Sequence, residues 1–385
     1  MSVTKDYFKN GNKINFVFPI DGDCVNEHDG FLKDGKLFVK AKVKANDNAD
    51  IYINNIKATK NGELFEADVE AVGYRNTVVA VDKNDSEAFA KVAVYKLDGA
   101  SGGYRISVDD NIIFLWDINK NKDTYKSIFE NPYLAVYKKA HDLYGATVHL
   151  NLFYAFDDMH DFKNKRGAFD LSMMTDKFKD EWIENSNWLR LSFHANTNHP
   201  DMPYKHTDRE TISRDCEKVN REIIRFAGRE TLSDMTTVHW GECTVEGMRG
   251  IRALGVKGAA GYFEFNPNGT TLVSYFYPDD LVRYVGERDF WVDTEEDIIY
   301  GRIDLVLNTL KLEDVAFTLD EIYKNPHRAG FMEVMIHEEY LYEDYDAYIP
   351  EFEEIVLTAA KWCVEHKLEG RTFGSVMFEK RNTVN

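Results

Sequence analysis

Two patterns of apolar and polar positions divide this chain. From residue 14 to about 97, the runs INFVFPI, KLFVKAKVKA, ADIYINNIKA, LFEADVEA, NTVVAVDK and FAKVAVYKL alternate apolar with polar residues, the period of a strand with one buried face. Turn signals at Lys33-Asp34-Gly35, Asn54-Asn55 and Lys60-Asn61-Gly62 separate them. The pattern predicts a small antiparallel β-sandwich over residues 1–100. No line of tryptophans marks a sugar-binding face there, so packing and spacing are its expected roles.

The stretch Leu97-Asp98-Gly99-Ala100-Ser101-Gly102-Gly103 breaks the alternation and predicts a domain boundary. From Tyr104 onward strands alternate with helices. YRISVDD, ATVHLNLFYA, WLRLSFHA, TTVHW, VKGAAGYFEF and FMEVMIHEEY read as strands. SIFENPYLAVYKKAHDLYG, TDKFKDEWIENS (opened by Thr175), RETISRDCEKVNREIIRFAG, TVEGMRGIRALG, LEDVAFTLDEIYKNP and IPEFEEIVLTAAKWCVEHKL read as helices. FWVDTEEDIIYGRIDLVL reads as a β insertion. Repeated βα units predict a parallel sheet, most simply closed as a barrel over residues 104–385.

Composition narrows the partners. Lys plus Arg number 47 against 66 Asp plus Glu, a net charge of −19, which disfavours nucleic acid and anionic lipid while suiting divalent cations and neutral sugars. Cysteines 24, 216, 243 and 363 show no metal spacing and no disulfide framework. The first residues lack the apolar core of a signal peptide and no run is suited to crossing a bilayer, so the expected location is the cytoplasm.

Candidate chemistry gathers where the strands end. The stretch NWLRLSFHANTNHPDMPY runs from an apolar strand into His194, Asn196, Asn198 and His199. Asp109 with Asp110, His239 with Trp240, Glu264, and His337 with Glu338 follow other predicted strands. In a parallel barrel the carboxyl ends of the strands meet at one mouth, so these residues are expected to share a site. A carboxylate and two imidazoles suit one divalent ion, with positions left for water and substrate. Each also has a plainer reading: Asp109 capping a turn, His199 as a loop residue, His239 and Trp240 lining a pocket. The aspartate doublet is costly without a cation or proton to offset it. His149 reads as a satisfied interior histidine, and His141, His160, His206, His327 and His366 as surface.

In their order these motifs resemble the polysaccharide deacetylase (NodB-like) family of carbohydrate esterases, over about residues 104 to 380. Ser107-Val108-Asp109-Asp110 resembles that family's Thr-Phe-Asp-Asp, and His194 to Pro200 its His-Ser/Thr-x-x-His, with one additional residue between the histidines. Val238-His239-Trp240-Gly241 stands where the family has Arg-x-Pro-Tyr-Gly, and Met335-Ile336-His337-Glu338 resembles its Leu-His-Asp ending. The resemblance implies an α/β fold, an irregular (β/α)7 barrel. It implies a metal-dependent hydrolase that removes acetyl groups from N- or O-acetylated sugars. Asp109 would be the general base, His337 the general acid, and Asp110, His194 and either His199 or His239 the ligands of a divalent metal, with zinc fitting the donor set. Apart from the resemblance, Trp240, Glu264 and Glu338 at the strand ends are the candidates for binding the carbohydrate. The segment AVGYRNTVVAVDKNDSEAFAKVAVYKL similarly resembles the closing hairpin of immunoglobulin-like modules attached to bacterial carbohydrate enzymes. The missing arginine and altered histidine spacing leave two alternatives: a carbohydrate-binding barrel without catalysis, and a metal-dependent hydrolase of another glycan bond. Oligomeric state is left open.

Overall fold

The computed structural model describes residues 6–97, 100–157, 160 and 166–378; Asp98 and Gly99 of the expected boundary lie outside them. The alternating segments of the first part form two five-stranded sheets. One is built on Asn15–Phe18, Lys36–Lys44 and Leu64–Ala71, the other on Ile51–Ile53, Arg75–Asp82 and Asp85–Lys96. Strict alternation of buried and less buried residues along Leu64–Ala71 turns one face inward. Phe16, Val39, Val43, Phe65, Val78 and Val92 meet in the core between the sheets, as period-two patterning requires.

Beyond Gly103 most strands pair in parallel. Leu189–Ala195, Val148–Phe153, Gly103–Asn111, Phe331–His337 and Leu305–Val306 lie side by side in that order. A second sheet orders Met235–Thr236, Gly258–Gly261, Ile298–Arg302 and Phe290–Asp293, of which only the last is antiparallel. The sheets adjoin through a parallel bridge between Leu191 and Leu232. Strands buried on both faces need near-continuous apolar runs, and Val148–Phe153 is buried at every position. Asn131 caps the Pro132–Tyr144 helix by accepting from Leu134, and Gly145 ends it at φ 64°. Asp208 does the same at the start of Arg209–Ala227.

Five expectations change. The stretch 290–307 is an insertion only in its first part: Phe290–Asp293 adds an antiparallel strand, whereas Ile298–Arg302 pairs in parallel with Gly258–Gly261 as part of the main sheet. The helix expected from Thr175 spans only Lys179–Glu184. TTVHW is a strand at Thr236 but turns sharply at Trp240, where φ is +62°. The helix Ile113–Lys120 was not anticipated, since its apolar start merges with the strand before it. His160, expected at the surface, is buried and stacks on Phe156 at 5.5 Å. No helix among the described residues is long and apolar enough to cross a membrane.

Candidate metal centre and pocket

The parallel strands all deliver their carboxyl ends to one side, where a cavity of about 550 Å³ opens. Asp109, Asp110, His194, His239 and His337 line it, together with Trp240, Tyr262 and Tyr340. Asp110 follows the end of its strand's regular course at φ +63°, a left-handed conformation that aspartate tolerates better than most residues. His194 is the penultimate residue of an almost wholly buried strand. The turn carrying His239 is held against Val273, where a Cβ on Gly241 would come within 2.2 Å of that side chain.

Three ligand atoms converge. Asp110 Oδ1 lies 3.1 Å from His194 Nε2 and 3.2 Å from His239 Nδ1. The two nitrogens are 3.0 Å apart. Each imidazole uses its other nitrogen on a backbone carbonyl: His194 Nδ1 donates to Thr237 O at 2.5 Å and His239 Nε2 to Asn198 O at 3.0 Å. Those bonds fix the tautomers and turn both remaining lone pairs toward the carboxylate oxygen. Tetrahedral ligands at zinc distances stand roughly 3.3 Å apart, so this triangle fits a small divalent ion. The ring of Phe153 supports both imidazoles, at 5.2 Å from His194 and 4.9 Å from His239.

Charge follows the same geometry. Burial resists ionisation of Asp110, but His194, His239 and His337 around it hold its carboxyl well below the usual carboxylate range. Burial likewise resists protonation of His194, yet Asp109 and Asp110 pull its pKa upward overall. A cation or a proton therefore has to sit among these lone pairs. Glu339 adds to this demand: burial first, then Asp110, push its carboxyl well above its ordinary value.

Asp109 is buried and accepts from Asn151 Nδ2 at 2.6 Å. His337 stands across the cluster, with Nε2 4.0 Å from Asp110 Oδ2 and Nδ1 bonded to Asn308 Oδ1 at 2.9 Å. Trp240 is 43% exposed at the mouth. The structure thus brings together Asp109, Asp110, His194, His239, His337 and Trp240.

It places three expected residues elsewhere. His199 lies on the rim with a side chain 55% exposed, its Nδ1 3.3 Å from Asp201, outside the three-atom cluster. The additional residue before it carries the ring past that cluster. Glu338 does not face the pocket: its fully buried carboxylate accepts from the backbone N–H of Ile112, Ile113 and Phe114. Glu264 pairs with Arg302 and stands 3.7 Å from Arg328, absent from the pocket lining. Sequence reading missed Glu339, one residue beyond Glu338, because strand periodicity ends at His337 and no longer says which glutamate turns inward. Asn151 and Thr237 were missed because single polar residues inside apolar strands carry no motif.

No protein-family model and no curated protein matches the chain. Among solved structures, similarity extends to a CE4 family pseudoenzyme from Bacillus anthracis, 11% identical over 73% of this chain and 67% of that one, with a TM-score of 0.32. A Streptococcus mutans CE4 esterase is 12% identical over 71% of this chain and 84% of its own, at a TM-score of 0.32. A structure described as a novel carbohydrate deacetylase is 6% identical over 85% and 68%, at 0.38.

Proposed function

We propose that the protein is a metal-dependent hydrolase that removes acyl groups from acetylated sugars. The observation that carries this reading is the triangle of Asp110, His194 and His239, flanked by Asp109 and His337 in one pocket. Held by Asp110, His194 and His239, a divalent ion, zinc fitting best, would supply positive charge to polarise an acyl oxygen and ease the deprotonation of water. Asp109 takes a proton from the attacking water while the water oxygen bonds to the acyl carbon. His337 gives its Nε2 proton to the leaving nitrogen or oxygen as the acyl bond breaks, releasing acetate and the free sugar amine or hydroxyl. Asn308 holds the opposite nitrogen and keeps Nε2 turned inward. Trp240, Tyr262 and Tyr340 offer apolar faces against which a sugar ring packs.

The substrate class rests on the motif order from Ser107 to Glu338 and on this mixed aromatic lining. Around the site we read the two parallel sheets as one irregular seven-stave barrel, in which residues 298–306 leave one sheet and join the other. The preceding β-sandwich is a separate immunoglobulin-like domain ending near residue 100. The test is acetate release from N-acetylated chito-oligosaccharides and O-acetylated xylan by zinc-loaded protein, with metal content measured in parallel. Activity abolished by chelation and by His194→Ala is expected. Saccharide binding that persists under chelation without any acetate release would replace this reading by that of a recognition barrel.

A further inference from the structure

Beneath the pocket, side chains from three adjacent strands share the barrel interior. Arg105 and Asp109 lie on Gly103–Asn111, His149 and Asn151 on Val148–Phe153, and Ser192 on Leu189–Ala195. All are essentially buried. Arg105 is paired through Nε with Glu333 at 2.6 Å and places Nη1 2.8 Å from His149 Nδ1. His149 Nε2 is 2.8 Å from Ser192 Oγ, and Ser192 Oγ is 2.6 Å from Asn151 Oδ1. Asn151 Nδ2 meets Asp109 Oδ1 at 2.6 Å.

The direction of every bond is forced. A guanidinium has no acceptor, so His149 Nδ1 accepts and its proton sits on Nε2, which donates to Ser192 Oγ. The Ser192 proton then points at Asn151 Oδ1. The backbone N–H of Thr237, another obligate donor, reaches the same Oδ1 at 3.1 Å and fixes the amide against a flip. Asn151 Nδ2 is left to donate to Asp109. Burial, with Arg105 and Arg190 nearby, holds the His149 pKa well below the ordinary value, which agrees with a neutral ring.

We propose that Asn151 is a positioning residue for Asp109, and that a one-way chain of donors from Arg105 through His149 and Ser192 sets its orientation. Aligned bonds polarise one another, so the last N–H donates more strongly than an isolated amide. The chain holds Asp109 as an acceptor in a fixed rotamer, ready to take a proton from water. The catalytic consequence rests on the proposed role of Asp109; the polarity of the chain does not.

Two readouts test this. In metal-free protein labelled with ¹⁵N-histidine, long-range proton–nitrogen spectra should show His149 as the neutral Nε2–H tautomer between about pH 5.5 and 8, where an ordinary histidine titrates. Its Nε2 resonance should move in Asn151→Leu and in Asp109→Asn. With zinc-loaded protein, Asn151→Leu should lower kcat about 100-fold, the range for a hydrogen bond to a charged group, and Ser192→Ala about tenfold, the range for the neutral bond behind it. KM and zinc affinity should be unchanged, and Ser192→Thr, which keeps the hydroxyl, should restore kcat. An imidazolium or Nδ1–H tautomer at His149, or wild-type kcat in a folded Ser192→Ala protein, would overturn the proposal. Absence of hydrolysis in the wild type with the tautomer and its coupling intact would instead sink the proposed function and leave the donor chain standing.

Discussion

At the scale of single residues, the site separates ligands from neighbours by where their lone pairs point. His239 turns Nδ1 into the cluster and His199 does not. His239→Ala should therefore weaken zinc binding by more than about 100-fold, beyond what losing an outer hydrogen-bond partner costs, whereas His199→Ala should leave it unchanged; competition with a chromophoric chelator measures both. Equal losses would mean that the loop rearranges around the ion. Much of this set was legible in sequence. Asp109, Asp110, His194 and His337 each follow an apolar run at the point where a parallel strand ends, and such positions share one mouth. The choice between His199 and His239 was not legible, since it depends on the Trp240 turn and its left-handed backbone. Neither was Glu339, for the inward side of a short turn is decided by packing rather than by period.

At the scale of elements, Glu338 shows how one carboxylate ties two of them together. The helix Ile113–Lys120 begins without a side-chain cap of its own. Glu338, at the end of the neighbouring strand, supplies the missing acceptor: Oε2 takes the N–H of Ile112 at 2.6 Å and Ile113 at 3.0 Å, and Oε1 that of Phe114 at 2.6 Å. Tyr342 donates to the same Oε1 at 2.6 Å. Orphan amides and a buried carboxylate thus satisfy each other across the sheet. Glu338→Ala is expected to cost about 2–3 kcal/mol in urea unfolding above about pH 7, where the carboxyl is ionised, the scale for buried groups that lose a charged partner. Because this helix starts three residues after Asp110, the same substitution should also loosen the cluster and weaken zinc binding. A loss of stability with unaltered metal affinity would show that the strand end holds Asp110 without help from the helix. The periodicity that predicted the longer helices gave no sign of this one, whose start is set by a residue more than two hundred positions away.

At the scale of the whole molecule, buried acids set the response to pH. Burial pushes Asp304 up to about 7, against the pull of Arg302, and Glu338 up to about 7, against its hydrogen-bond donors. Burial also raises Glu333 despite Arg105. A carboxyl whose folded pKa exceeds its unfolded value holds its proton more tightly in the native state. Its stabilisation is present in full below the unfolded pKa, 3.8 for Asp304 and 4.5 for Glu338, and is lost as pH rises toward about 7. His149 acts in the opposite sense, since its lowered pKa makes the folded state bind fewer protons below 6.5. Asp110, with a depressed pKa, gives up its contribution only as pH falls below 3.8. Raised acids outnumber the lowered interior histidine, and a net charge of −19 adds self-repulsion as the remaining carboxyls ionise. Calorimetric Tm at constant ionic strength should therefore decline between about pH 5 and pH 8, the reverse of a protein whose carboxylates are stabilised by folding. Asp304→Asn removes one of the raised groups, so the decline between about pH 5 and pH 7 should become shallower in that variant. An undiminished slope in Asp304→Asn would assign the pH response to net charge instead, and added salt would then flatten it in both proteins alike.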